Sequence, residues 1–212
     1  MLNSHGLEAL VLMRKFTPFK RAFRVLGIAE SFKQDLSGRA LLAGVVMRAD
    51  GIIDGFTFGT CTLMGMDSTE AIIEMYRSLS RDDINLIMLN GCIISLFNII
   101  DLNMVSRATD LPLLCVTYYP SEGISESIKR RFPDDWERRL SVYEANGPRE
   151  EVKIRTSHTI YVRRIGITLG EARAILNRLT TSGKIPEPLR IAKLLARTLN
   201  DYASVVEKIV PG

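Results

Sequence analysis

Three short aliphatic runs, residues 23–28, 40–47 and 52–63, open the patterned part of the chain. Ser37-Gly38 and Asp50-Gly51 punctuate them. Asp-Gly between apolar runs is a strong hairpin signal, because the tight turn needs positive φ and these residues accept it cheaply. The runs therefore predict three sequential strands in an antiparallel meander. Asp67-Ser68-Thr69-Glu70 then leads into apolar positions at Ile72, Ile73, Met75, Tyr76 and Leu79, one face of a helix behind an acidic start. Residues 84–89 are apolar but for Asn85 near the start, as suits a strand buried on both faces. Residues 94–108 are predicted as a helix and 112–118 as another strand.

The remaining third is more polar. Residues 124–132 and 136–144 read as charged amphipathic helices separated by Pro133, and 152–155 and 159–164 as short strands carrying alternate basic residues. Thr168-Leu169-Gly170-Glu171 is a capping box for a helix through Leu179, and Pro188 stands near the start of a final helix ending around Lys208. A three-strand antiparallel meander followed by αβαβ and flanking helices is an α/β mixed sheet. Ribonuclease H-like architecture has that order of elements. There is no internal repeat and no low-complexity tract.

Composition narrows the picture. With 212 residues, 46% hydrophobic and 25% charged, the chain has globular composition and enough length for one sizeable core. Its net charge of +4 permits a nucleic-acid partner without requiring one. Arg14, Lys15, Lys20, Arg21 and Arg24 precede the first strand with only Glu8 against them, which reads either as a basic arm or as a solvated face. Cys61, Cys92 and Cys115 are odd in number, far apart and set in apolar runs, so free thiols in a reducing compartment, the cytoplasm, are expected. The uncharged run 84–100 contains Asn85, Asn90, Gly91, Ser95 and Asn98, against a membrane span. The apolar stretch 7–13 is short, interrupted by Glu8 and followed by basic residues, unlike a secretory signal.

Histidine-assisted nucleophilic catalysis has little to work with, since His5 and His158 lie in no recognisable motif. No glycine-rich phosphate loop is present. What stands out is a set of acids and amides at predicted strand ends: Glu30, Asp67, Asn90 and Asp101. Clustered carboxylates at such a place would hold divalent metal beside a phosphodiester. Each has a plainer alternative. Asp67 fits an N-cap with Glu70, Asp101 the start of a helix, Glu30 a polar strand end, and Asn90-Gly91 a tight turn. Lys129-Arg130-Arg131, Arg138-Arg139 and Arg163-Arg164, with Trp136 and Tyr161 beside two of these clusters, suit phosphate contacts. Pairing with Asp134, Asp135 and Glu137 on a solvated helix is the alternative.

Several segments together resemble an archaeal family labelled endonuclease dU, related to endonuclease V. They are Arg24-Val25-Leu26-Gly27-Ile28, Gly65-Met66-Asp67-Ser68-Thr69-Glu70, Leu89-Asn90-Gly91, Phe97-Asn98-Ile99-Ile100-Asp101, Leu111-Pro112 and Ile185-Pro186-Glu187-Pro188-Leu189-Arg190-Ile191-Ala192. The resemblance implies a ribonuclease H-like fold, with residues 23–212 as a single endonuclease V-like domain behind a basic extension, residues 1–22. It also implies cleavage of DNA at deoxyuridine or a similar deaminated base with Mg²⁺ or Mn²⁺. Carried over, it makes Glu30, Asp67 and Asp101 catalytic and Glu30 and Asp67 metal ligands; the basic clusters, by their own charge, nominate Lys129, Arg130, Arg131, Arg163 and Arg164 as contacts to DNA or RNA. The family's Gly-Ile-Asp-Asp-Gly is here Gly27-Ile28-Ala29-Glu30-Ser31, its Val-Asp-Gly-x-Asp is Leu63-Met64-Gly65-Met66-Asp67, a frequent Asp is Asn90, and a usual His is Lys193. A one-residue shift from Ala29 to Glu30 turns a strand side chain to the other face. Two functions follow: a metal-dependent endonuclease with a thinned site, or a degenerate paralogue that binds nucleic acid or protein without cutting.

Overall fold

The computed structural model describes residues 23–33 and 38–209, with side chains through Tyr202. The basic extension, His5 and Ser37 of the first predicted turn lie outside the described residues. The meander is present as β1 (Arg24–Ser31), β2 (Arg39–Arg48) and β3 (Ile53–Thr62). Asp50-Gly51 joins β2 to β3, with Gly51 at φ 91° and its N–H donated to the Arg48 carbonyl at 2.9 Å. Then come α1 (Ser68–Ser78), β4 (Leu86–Asn90), β5 (Ile93–Ile94), β6 (Asn98–Ile99), α2 (Leu102–Thr109) and β7 (Leu113–Thr117). The polar third supplies α3 (Ser125–Arg131), α4 (Trp136–Ala145), β8 (Glu150–Lys153), β9 (Thr159–Ile165), α5 (Leu169–Leu179) and α6 (Glu187–Ile209).

Seven strands form one mixed sheet in the order β3-β2-β1-β4-β7-β9-β8. The central β1, β4 and β7 run parallel, and β2 and β9 flank them antiparallel. Strand alternation sends Leu26 and Ile28 into a core with Ile72 and Ile73 of α1 and Leu102 and Val105 of α2. On the other face Val25, Leu86 and Met88 meet Ile175 and Leu176 of α5 and Leu189 of α6. Ala29 joins Val45 and Ala192 on that face. The approach of α6 depends on Gly27, where a Cβ would stand 2.5 Å from the Pro188 Cβ and 2.8 Å from its carbonyl carbon. That closeness carries α6 across the end of β1.

One predicted element is different. Residues 94–101 are not helical; they form the two-stranded β5–β6 ribbon, and the helix begins only at Leu102. Ser95, Leu96 and Phe97 turn the ribbon at φ 48°, 57° and 72°, three consecutive left-handed residues without a glycine. Left-handed backbone costs ordinary residues energy, so the surroundings must hold it. Buried Asn98 does part of this, accepting from Ser68 N at 3.2 Å and donating to the Thr62 carbonyl at 2.9 Å and the Asp67 carboxylate at 2.7 Å. The Thr168 capping box, by contrast, is present with both reciprocal bonds. Among the described residues no helix is long and apolar enough to cross a membrane.

Candidate functional site

Beyond the ends of β1 and β4 the side chains separate by face. Glu30 follows Leu26 and Ile28 toward the α1 layer, and one of its carboxylate oxygens accepts from Ser95 N at 2.7 Å and Ser95 Oγ at 2.5 Å. The Ser95 hydroxyl also lies 3.1 Å from the Cys61 sulfur. Burial, with Asp67 and Glu30 nearby, pushes the Cys61 thiol up to about 11 against the Ser95 bond, so this sulfur is no nucleophile. Both carboxylates thus bear on one buried thiol.

Asp67 occupies the N-cap position of α1, but its side chain makes no cap hydrogen bond. Its carboxylate instead accepts from Thr62 N at 3.0 and 3.1 Å, Thr62 Oγ1 at 2.8 Å and Asn98 Nδ2 at 2.7 Å. Partial burial works to raise its pKa, but the bonds from Thr62 and Asn98 outweigh it and hold the group below its ordinary 3.8. Asp101 does take the helix-start role: it accepts from Met104 N at 2.9 Å, while its own N–H donates to Thr69 Oγ1 at 2.9 Å. The structure therefore brings Glu30 and Asp67 to one face and commits Asp101 to joining α1 and α2.

A residue the sequence did not single out for this site holds it together. Arg139 of α4 is buried, and its guanidinium donates to the carbonyls of Met64 at 2.9 Å, Gly65 at 3.0 Å and Phe97 at 3.1 Å. Asp135 accepts from its Nε at 2.9 Å, and the Phe132 ring lies 3.8 Å from the guanidinium carbon. One cation clasps the loop leading to Asp67 and the left-handed loop that presents Ser95 to Glu30. As one Arg of an amphipathic pattern it carried no signal of that role.

Of the basic clusters expected to meet phosphate, Arg139 is instead the buried clasp, paired with Asp135, and those on α3 and β9 fall in two places. On α3, Lys129, Arg130 and Arg131 are exposed. Arg131 reaches Met64 Sδ at 3.5 Å and stands 5.9 Å from the Phe97 ring, against the same clasped loops, whereas Lys129 pairs with Glu126 at 3.1 Å. Arg163 is buried on β9: it donates to Gly147 O at 2.7 Å and Cys92 Sγ at 3.2 Å, and lies 4.8 Å from the Tyr143 ring. A hydrogen bond from Cys115 and the Arg163 charge draw the Cys92 thiol down, and the same pairing, with burial, drives Cys115 up. Arg164 donates to Ile167 O at 2.7 Å and pairs with Glu150 at 2.9 Å. His158 is exposed, with Nδ1 2.8 Å from Thr156 O.

On the α6 face the strand ends carry different groups. Ala29 packs against Ala192, Asn90 continues the alternation of Leu86 and Met88, and Lys193 Nζ donates to the Glu30 carbonyl at 2.7 Å. Octahedral Mg²⁺ needs several free hard oxygens at about 2.0–2.1 Å. Here Asp67 has both oxygens engaged, Glu30 keeps one, Ala29 offers none and Asn90 an amide. Among the described residues no three His, Cys, Asp or Glu converge. This donor set does not fit a divalent-metal centre.

The profile of the family described as Endonuclease dU matches residues 21–200. The chain belongs to the Endonuclease dU family. A UPF0215 protein of Pyrobaculum calidifontis is 35% identical over 180 residues, 84% of this chain and 98% of the other. Among solved structures, a protein of unknown function from Archaeoglobus fulgidus superposes with TM-score 0.71 at 27% identity, over 84% of this chain and 98% of that one. The catalytic domain of human Endonuclease V superposes with TM-score 0.59 at 17% identity, over 91% and 88%. Endonuclease V of Ciona intestinalis, in complex with an inosine-containing 24mer DNA, does so with 0.57 at 13%, over 86% and 87%. The Endonuclease dU chain thus has the ribonuclease H-like fold of endonuclease V.

Proposed function

We propose that this member of the Endonuclease dU family recognises DNA at the carboxyl ends of β1 and β4 and has lost most or all of its cleavage chemistry. The observation that carries the reading is Asp67, whose two oxygens are already taken by Thr62 and Asn98. Hydrolysis assisted by Mg²⁺ or Mn²⁺ relies on several carboxylates free to hold metal against a phosphate that brings its own negative charge. Glu30 turned onto Ser95 supplies one free oxygen. Support for DNA comes from the family description, from the Ciona endonuclease V complex and from Arg131 beside the clasped loops. Deoxyuridine is the deaminated base this reading assigns, and RNA is the competing ligand. Three free buried thiols suit a reducing compartment such as the cytoplasm.

The test is a labelled duplex containing one deoxyuridine, incubated with the protein and Mg²⁺ or Mn²⁺. Wild type is expected to bind it and to nick it slowly or not at all. Asn90→Asp combined with Ala29→Asp is expected to gain metal-dependent nicking, whereas Asn90→Asp alone, a single carboxylate on that face, is not; melting curves accompany the double variant, because Ala29 is packed against Ala192. Rapid wild-type nicking that Glu30→Gln abolishes would reverse the reading in favour of a working metal-dependent endonuclease.

A further inference from the structure

We infer that Lys193, on the α6 face, is a direct phosphate contact that takes over the charge a metal would supply, so that DNA binding by this chain is independent of divalent cations. The inference rests on the binding reading above and goes beyond it by naming the group that receives the phosphate. Four observations meet here. The donor set at the strand ends does not fit a divalent metal. The carboxylates nearest the site are satisfied from the α1 side, Glu30 by Ser95 and Asp67 by Thr62 and Asn98. The α6 side of the same strand ends presents Ala29 and Asn90, neither of which is negative. Lys193 Nζ is fixed there by one bond, 2.7 Å to the Glu30 carbonyl.

An ammonium has three donors, and Lys193 uses one. Lys193 is exposed and makes no ion pair among the described residues, so its charge is not already neutralised. Its stem is steered by a helix that approaches β1 closely because Gly27 leaves room for Pro188. The Asn90 amide, on the same face, has no hydrogen-bond partner among the described residues and provides a neutral donor for a second phosphate oxygen. Exposed Arg197 lies four residues further along α6, one turn from Lys193. A phosphate received here meets a cation and an amide, where a metal-dependent site would present carboxylates that repel it until metal arrives.

The experiment measures affinity for the fluorescein-labelled deoxyuridine duplex over a salt series, once in EDTA and once in Mg²⁺. Wild type, Lys193→Gln, Lys193→Arg and, as a remote exposed control, Arg107→Gln are compared, with circular dichroism confirming that each is folded. Wild-type binding is expected to be no tighter in Mg²⁺ than in EDTA at matched ionic strength. Lys193→Gln should weaken it roughly fivefold and reduce the salt slope by about one, as loss of a single phosphate contact does. Lys193→Arg should restore the slope, and Arg107→Gln should leave it unchanged. A requirement for Mg²⁺, or a Lys193→Gln protein that binds as wild type does, would overturn the inference while leaving the binding reading in place. A wild-type protein that binds no DNA in either buffer would remove both.

Discussion

The two faces of the sheet at the ends of β1 and β4 carry opposite chemistry. On the α1 face sit the acids, Glu30 and Asp67, each satisfied by neutral donors from its own surroundings. On the α6 face sit a methyl group, an amide and one ammonium tied to a carbonyl. The first arrangement spends carboxylates on shaping loops; the second leaves positive charge facing outward. The lesson is that an acidic residue at a strand end is not a metal ligand until its lone pairs are counted, and that a neighbouring face can hold the charge that decides the ligand.

The largest effect expected from breaking this contrast comes from Arg139→Met. It removes the donor to three carbonyls from a buried, charge-paired cluster, and destabilisation of roughly 3 to 5 kcal/mol in urea unfolding is expected. Hydrogen exchange at Met64 N, which donates to Ser95 O at 2.8 Å, should quicken far more than at strands of the α6 face. Uniform quickening would show that the two faces are not separately held.

Next comes Gly27→Ala, aimed at the other face. Its new Cβ collides with the Pro188 backbone and side chain, so α6 must withdraw; a loss of about 2 kcal/mol is expected, together with weaker DNA binding through Lys193. Unchanged affinity in the folded variant would separate α6 placement from binding.

Asp67→Asn is a smaller change, about 1 to 2 kcal/mol at pH 7 by loss of charge-assisted bonds. Because the folded state holds the Asp67 carboxyl below 3.8, its contribution is complete above that pH and disappears as the pH falls through the folded value. The difference between wild type and variant, followed by urea unfolding at several pH values, should therefore shrink under acid conditions. A difference that persists there would point to packing rather than charge. Smallest is Asp101→Ala, near 1 kcal/mol for a lost N-cap, with no change in DNA affinity. A large loss of affinity would return Asp101 to the site.

Much of this architecture was legible in the chain. Asp50-Gly51, the continuous apolar run before Asn90 and the Thr168 box each specify their structure through local chemistry, and together they lead to the mixed sheet. The stretch after Gly91 was not legible, because its turn is held by long-range bonds: Asn98 to Thr62, Arg139 to Phe97, Ser95 to Glu30. Three left-handed residues without glycine have no local signature. The site was half readable for the same reason. Glu30 and Asp67 were nominated by residue type, and the turning away of Glu30 relative to Ala29 followed from strand alternation. That Asp67 is saturated, that Arg163 points inward to Cys92 and that Lys193 reaches back to Glu30 depends on partners 5, 71 and 163 residues away.

The Arg139 clasp also determines how much ordering is left for a ligand to cause. With both loops fastened to α4, and Arg131 of α3 set against the Phe97 ring, the surface is already arranged before any ligand binds. Each rotamer-rich side chain immobilised at binding costs about 0.5 to 1.5 kcal/mol, and a preformed surface avoids part of that. Association should then be governed by electrostatic steering, fast at low salt and slower as salt screens it, with no lag from loop rearrangement.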